Sequence, residues 1–278
     1  MVTELMKVPL LSTTTVECLR VLGINSLEDL ALLSDEACVM IADRLKSISS
    51  RLAKDGYLKE RLIMACRYAK AIKRGKPLLF GYNPLLNSLA ISYRRKRLIF
   101  FDLEYDPEKP FIFIIGIMDV DGRVSQFFIE DNEEERRALL RLTNIITDKV
   151  LVCYAGKSAD IPTLQKCYKK YNFRVPRLEL IDLFYDILFT GNIRKQTIYL
   201  PLTCLSEKTV ANYLGYKPPR NLEIKDGLSA LLHFYAYLRE KDPSRKIEIR
   251  DQLLLYNYSD LERSKFILER IFKLFKVM

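Results

Sequence analysis

A single histidine in 278 residues leaves little room for imidazole chemistry. That residue, His233, lies in the apolar helical stretch LSALLHFYAYL and reads as a packed or locally bonded histidine, with no role as a general base. The six cysteines, at positions 18, 38, 66, 153, 167 and 204, include no C-x2-C pair, which argues against a structural zinc site. They read as small buried hydrophobes in a reducing compartment. Long apolar runs are missing as well. The stretch from Phe111 to Met118 falls far short of the roughly 18 to 20 residues needed to span a bilayer, so no membrane segment is expected. The opening MVTELMKVPLL contains Glu4 and lacks a long apolar core, which does not fit a secretory signal; a cytoplasmic location is expected. No internal repeat is visible.

What is present describes a folded chain. With 49% hydrophobic and 29% charged residues, neither disorder nor low complexity is indicated, and the length suits two domains. The formal charge of +10 is unevenly spread. Residues 1–97 hold 17 Lys or Arg against 9 Asp or Glu, a net +8, whereas the remaining 181 hold 28 against 26, a net +2. Between Arg44 and Arg97 there are 15 basic residues, opposed only by Asp55 and Glu60. Such a balance suits a polyanionic partner, although a solvated helix face would show the same composition.

Residues 1–80 read as a small basic all-helical domain. Ser-Thr-Thr-Thr leads into a helix over Val16 to Leu22 that Gly23 ends. Ser26 with Glu28 and Asp29, and Ser34 with Asp35 and Glu36, supply two further helix starts. A longer basic helix is predicted over Leu58 to Lys73, with Leu62, Cys66, Ala69 and Ile72 on one face. Residues 81–97, containing Tyr-Asn-Pro and ending in Arg94, Arg95, Lys96 and Arg97, read as a basic linker. From Leu98 to residue 278 the pattern becomes α/β. LIFFDLE and FIFIIGIMDV read as strands, Asp121-Gly122 as a hairpin turn returning through VSQFFIE, and VLVCY as a buried parallel strand. Asn132 with Glu135 is expected to cap the intervening helix. A strand near Leu178 to Ile181 follows, with helices near 162–171, 182–189, 206–214, 227–240 and 247–275. Strand, hairpin, helix, strand is the order of a mixed sheet.

Carboxylates mark the candidate site. The D-x-E spacing of Asp102 and Glu104 in an extended chain puts both side chains on one face, at the end of a strand that is otherwise apolar. Asp160 precedes the turn that Pro162 helps to start and also fits a plain helix-start role. Asp260 interrupts an inward stripe formed by Leu253, Asn257, Ser264, Ile267, Ile271 and Leu274, and Tyr256 lies one turn before it. Gathered together, four carboxylates would repel one another unless cations offset them. Two divalent ions carry the matching charge, activate water and clamp a scissile phosphate. Oxygen-only ligands favour Mg²⁺ or Mn²⁺.

The ordered segments FFDLE, VCYAGKSADIPTL, IDLF and LLLYNYSDLE resemble the DEDD group of 3′-to-5′ exonucleases in the ribonuclease H-like superfamily, most of all the YprB-like branch. The likeness covers Leu98 to about Phe275. It implies a mixed five-stranded sheet flanked by helices, with Asp102, Glu104, Asp160 and Asp260 holding two metals. Tyr256, in a Y-x3-D motif of the tyrosine subtype, would orient the attacking water. The substrate implied is DNA or RNA, with Tyr105 and Tyr154 available to stack a terminal base, and Lys157 and the basic run Arg94 to Arg97 available to hold the strand. Ala155 and Ala159 depart from the Asn and Phe common in the family's second motif, and Tyr105 from its Thr. Separately, LSTTTVECLRVLGINSLEDLALLSDEA resembles helix-hairpin-helix modules that bind DNA backbones, with Leu10-Leu11-Ser12-Thr13 replacing a glycine-bearing hairpin. Asp182 reads as a helix cap or as a residue behind the metals. Two alternatives stay open: a catalytically silent nucleic-acid adapter on the same fold, and a protein-interaction module of a repair or transposition assembly.

Overall fold

The computed structural model describes residues 4–277. In chain order the elements begin with helices α1 (Thr13–Val21), α2 (Leu27–Leu32), α3 (Asp35–Ile48), α4 (Ser50–Ala53) and α5 (Leu58–Arg74), then strand β1 (Leu78–Leu79). Helix α6 (Pro84–Arg94) leads into β2 (Leu98–Asp106), β3 (Phe111–Asp119) and β4 (Val124–Phe128), followed by α7 (Asn132–Ile146) and β5 (Val150–Cys153). Next come α8 (Asp160–Lys170), β6 (Glu179–Asp182), β7 (Ile198–Tyr199), α9 (Glu207–Tyr213), α10 (Gly227–Arg239) and α11 (Pro243–Phe275). The chain divides into two compact units. One runs up to Asn83 and includes Phe184–Val210; the other comprises Pro84–Leu183 and the chain from Ala211 onward. The segment 184–210, placed by its sequence inside the α/β region, therefore groups with the N-terminal helices. Its strand β7 pairs antiparallel with β1.

Serine oxygens start the helices of the first unit. Ser12 and Ser34 accept from the N–H groups of Thr15 and Ala37, and Ser26 with Asp29 forms a reciprocal capping box. Gly75, at φ 62°, closes α5 in the left-handed region, where only glycine is at ease. In place of the one-sided basic helix expected from sequence, α5 is the centre of this unit. Besides Leu62, Cys66 and Ala69 it buries Met64, Ala65, Tyr68 and Ala71. Two of its cations have partners within the unit: Arg67 meets Asp35 at 2.6 Å and lies 4.2 Å over the Phe80 ring, and Lys70 donates to the Leu33 carbonyl. The Sγ atoms of Cys38 and Cys66 approach to 2.9 Å in this core.

The second unit is a mixed five-stranded sheet in the order β4-β3-β2-β5-β6, antiparallel across β4, β3 and β2 and parallel across β2, β5 and β6. Asp121-Gly122 makes the β3–β4 turn, with Gly122 at φ 85°. One sheet face packs on α7 and α8 through Phe101, Leu103, Leu139 and Leu164; the other packs on α10 and α11 through Phe113, Phe234, Leu253 and Tyr256. A register shift at Glu104/Tyr105 leaves Phe113 as an extra residue in β3, so Phe113 and Ile114 both enter the second cluster.

Two local expectations need correcting. The predicted linker 81–97 carries the eleven-residue helix α6, because Pro84 sits at its first position and Leu86, Leu89 and Ala90 are buried. The cap of α7 is Asp131, which accepts from the Glu134 N–H; Asn132 is already helical. Glu135 is fully buried and accepts from the Ile112 N–H, Lys170 and Tyr171. Among the described residues, no helix is long and apolar enough to cross a membrane.

Candidate functional site

Strand β2 and helix α11 supply the site. Asp102 and Glu104 alternate with Phe101, Leu103 and Tyr105, so the apolar side chains fill the core under α7 and α8 while the carboxylates point the other way. Facing them, α11 presents Asp260. One carboxylate oxygen from each of Asp102, Glu104 and Asp260 lies within 4.8 Å of the others, a spacing that suits one cation. Asp160, at the start of α8, is outside that triad but lines the same cleft, as do Tyr105, Pro107, Leu228, Leu231 and Tyr256; the cleft volume is about 330 Å³. An all-oxygen donor set of this kind fits a hard divalent ion such as Mg²⁺ or Mn²⁺.

Burial governs the acids and phenols here. The Asp160 carboxyl is pushed up to about 7, first by its burial and then by the neighbouring carboxylates of Asp182 and Asp260. The Tyr256 phenol, also buried, is driven well above its ordinary range by desolvation and then by Asp260, Glu104 and Asp102. It therefore stays protonated and able to donate a hydrogen bond. Tyr105 is raised too, by burial and by Asp160.

Several residues that hold this arrangement were not singled out by sequence. Asn257 donates to Asp102 Oδ2 at 2.8 Å, and Gln126 Nε2 donates in turn to Asn257 Oδ1 at 2.8 Å and to the Leu254 carbonyl at 2.8 Å. This relay fixes the Asp102 carboxylate. Space for it comes from Gly116, which pairs with Asp102 in the sheet: a Cβ there would stand 2.0 Å from Asn257 Oδ1 and 2.7 Å from its Cγ. Arg263, 3% exposed, donates to Asp260 Oδ1 at 2.5 Å and to Ser259 Oγ at 3.1 Å. Its guanidinium thus offsets part of the negative charge at Asp260. A glycine inside an apolar strand and polar residues on a buried helix stripe were the available signals.

Asp182 lies beside Asp160, whose carboxyl it helps to push up. Fully buried, it accepts from the backbone N–H groups of Ala155 and Lys157, both at 2.9 Å, and so shapes the β5–α8 loop that delivers Asp160. Within that loop Ala155 sits at φ 57°, and a Cβ on Gly156 would meet Cys153 Sγ at 2.8 Å and Asp160 Oδ2 at 2.9 Å. The loop is close-packed.

Other expected contacts fall elsewhere. Tyr154 and Lys157 are not among the residues lining the cleft. Arg94 to Arg97 precede β2, and at about 3.3 Å per residue Arg97 is roughly 16 Å along the strand from Asp102. Lys96 pairs with Asp121 and Arg97 with Glu179, while Arg94 bonds the Val277 carbonyl. Lys59, Arg61, Arg67 and Lys73 pair with Asp43, Asp55, Asp35 and Glu28, so part of the basic excess of residues 44–97 is neutralised locally. His233 Nδ1 bonds the Ser229 carbonyl of its own helix at 2.7 Å.

Gly116→Ala is expected to destabilise the protein by about 1 to 3 kcal/mol, since Asn257 is tied on both sides and cannot yield easily. Urea unfolding measures this. Restoration of the midpoint when Asn257→Gly is added would assign the loss to that contact; an unchanged midpoint in the single variant would refute it.

A profile of the RNase H superfamily matches residues 99–272, which is 174 of the 278 residues and spans β2 to α11. No characterised protein and no solved structure matches the chain.

Proposed function

Because the chain belongs to the RNase H superfamily, we propose that it is a metal-dependent nuclease that removes nucleotides from the 3′ ends of DNA or RNA strands. The observation that carries this is the meeting of Asp102, Glu104 and Asp260 within 4.8 Å, in a cleft that also holds Asp160 and Tyr256. The 3′-to-5′ polarity rests on the resemblance to the DEDD exonucleases alone, and the tyrosine subtype on the Tyr256 to Asp260 spacing within that resemblance.

Asp102, Glu104, Asp160 and Asp260 would hold two Mg²⁺ or Mn²⁺ ions, which when bound supply a water of lowered pKa and offset charge on the scissile phosphate. The chain's own groups do the rest. Tyr256 keeps its proton and points a donor at the water or at a phosphate oxygen. Asn257 and Gln126 hold Asp102 in one orientation, and Arg263 does the same for Asp260. Leu228 and Leu231 form an apolar wall against which a terminal base would rest, while the Tyr105 ring packs with the core under α7 and α8. Arg94 to Arg97, at the far end of β2, would meet only more distant phosphates. The N-terminal helices would add contacts to the nucleic-acid backbone.

The test is a cleavage assay on 5′-labelled and 3′-labelled single and double strands of DNA and RNA, in Mg²⁺, Mn²⁺ or chelator. A 3′-to-5′ exonuclease gives a metal-dependent ladder from 5′-labelled strands and releases the label of 3′-labelled strands as mononucleotide. A second reading, the silent adapter, draws on Arg263, which already brings positive charge to Asp260 without a metal. Salt-sensitive binding with no cleavage in either metal would establish the adapter and end the nuclease assignment.

A further inference from the structure

The sheet of the second unit ends at β4, which pairs only with β3. Ile129 donates to the Phe113 carbonyl, and Phe127 pairs with Ile115, so the main-chain groups of residues 127 and 129 face β3. Strand alternation then turns those of Gln126 and Phe128 outward. Among the described residues, these outward groups have no hydrogen-bond partner. The usual protection of an edge is lacking on the strand: VSQFF contains no charge and no proline, and its register against β3 is unbroken.

A groove of about 350 Å³ follows this edge. Its floor is Gln126 to Ile129; Arg137 and Arg141 of α7 wall one side, and Arg250 and Leu254 of α11 wall the other. Arg137 and Arg141 are one helical turn apart, exposed, and without an ion pair among the described residues. Arg250 lies 5.4 Å over the Phe128 ring. The single acid in the lining, Glu134, accepts from the Glu130 N–H at 2.8 Å.

We propose that this edge docks an extended acidic segment of a partner protein, which adds to the sheet as a strand beyond β4. Side chains of an added strand alternate between its faces. Acidic ones on one face would meet Arg137 and Arg141, and those on the other would meet Arg250 and Leu254. Two other occupants fit less well. A nucleic-acid strand would satisfy the guanidinium groups through its phosphates, but these only accept, and its backbone lacks the regularly spaced N–H donors that the outward carbonyls of Gln126 and Phe128 would meet in an added peptide strand. A second copy of β4 would bring two sets of arginines together. The proposal stands whether or not the carboxylate cleft cleaves nucleic acid.

The probe is a short fluorescein-labelled, capped peptide of alternating Glu and Val, titrated into the full chain. Expected is saturable binding that is weakened about thirtyfold when alternate residues of the peptide are N-methylated, the loss of two main-chain hydrogen bonds. The double variant Arg137→Glu/Arg141→Glu, changed only at exposed positions, should also lose the Glu–Val peptide while retaining the helical signal of the parent. Hydrogen exchange gives a second readout: the Gln126 and Phe128 amides should slow on binding, while the Phe127 amide, already bonded to β3, should not. Equal binding of the N-methylated peptide, or no binding of either, would overturn the proposal. So would oligothymidylate displacing the peptide without protecting the two amides, which would make the groove a nucleic-acid site.

Discussion

Asp102→Asn is expected to lower metal-dependent cleavage by about 10³-fold or more, since a bound metal supplies several kcal/mol of transition-state stabilisation. Asparagine keeps the shape of the side chain and an oxygen able to accept the Asn257 amide, so the relay from Gln126 persists. What disappears is one negative charge from a cluster of three. In chelator the variant should unfold no earlier in urea than the parent, because removing one of several like charges relieves repulsion. Turnover on a 5′-labelled strand and the urea midpoint are the two measurements. Parental turnover in Asp102→Asn would mean that the Asp102, Glu104 and Asp260 group takes no part in the reaction.

The second large effect concerns pH. Asp160 titrates near 7 in the folded chain and near its ordinary value of 3.8 when unfolded. Between those values the native state binds the extra proton, so unfolding free energy falls as pH rises. The contribution is fully present below about pH 4 and is lost once pH passes about 7. Roughly three pH units correspond to about 4 kcal/mol, an upper limit because relaxation and water entry soften the burial penalty. Asp160→Asn cannot ionise. In chelator its stability relative to the parent should therefore be near parity at pH 4 and higher by up to about 4 kcal/mol at pH 8. A difference that stays constant across this range would show that burial does not set the Asp160 titration.

Periodicity and end signals made much of this architecture legible. The apolar run ending in Asp102 and Glu104, the Asp121-Gly122 turn, and the serine starts of α2 and α3 all depend on residues close in sequence, and all formed as read. The Tyr256 to Asp260 spacing likewise put both side chains in one cleft. Features that depend on distant partners were not legible. Gly116 and Asn257 explain each other only when β3 lies under α11, and no local pattern says that a glycine will face an amide 141 residues later. Asp182 reads as a cap or as a residue behind the metals, because the loop groups that it holds, the Ala155 and Lys157 N–H, belong to the preceding strand connection. Pro84 misled in the opposite direction. Tyr-Asn-Pro has the composition of a linker, yet proline is also well suited to a first helical position, and only the burial of Leu86 and Leu89 decides between them.

Helix α11 carries Tyr256, Asn257, Asp260 and Arg263 within about two turns of one 33-residue helix. Their mutual spacing is thus frozen by a single rod, while Asp102 and Glu104 are frozen by the sheet. The remaining freedom is the gap between rod and sheet, bridged by the Asn257 contact to Asp102. Any opening of the cleft along this axis would move all four helical groups in concert, like one jaw of a clamp whose teeth keep their pitch.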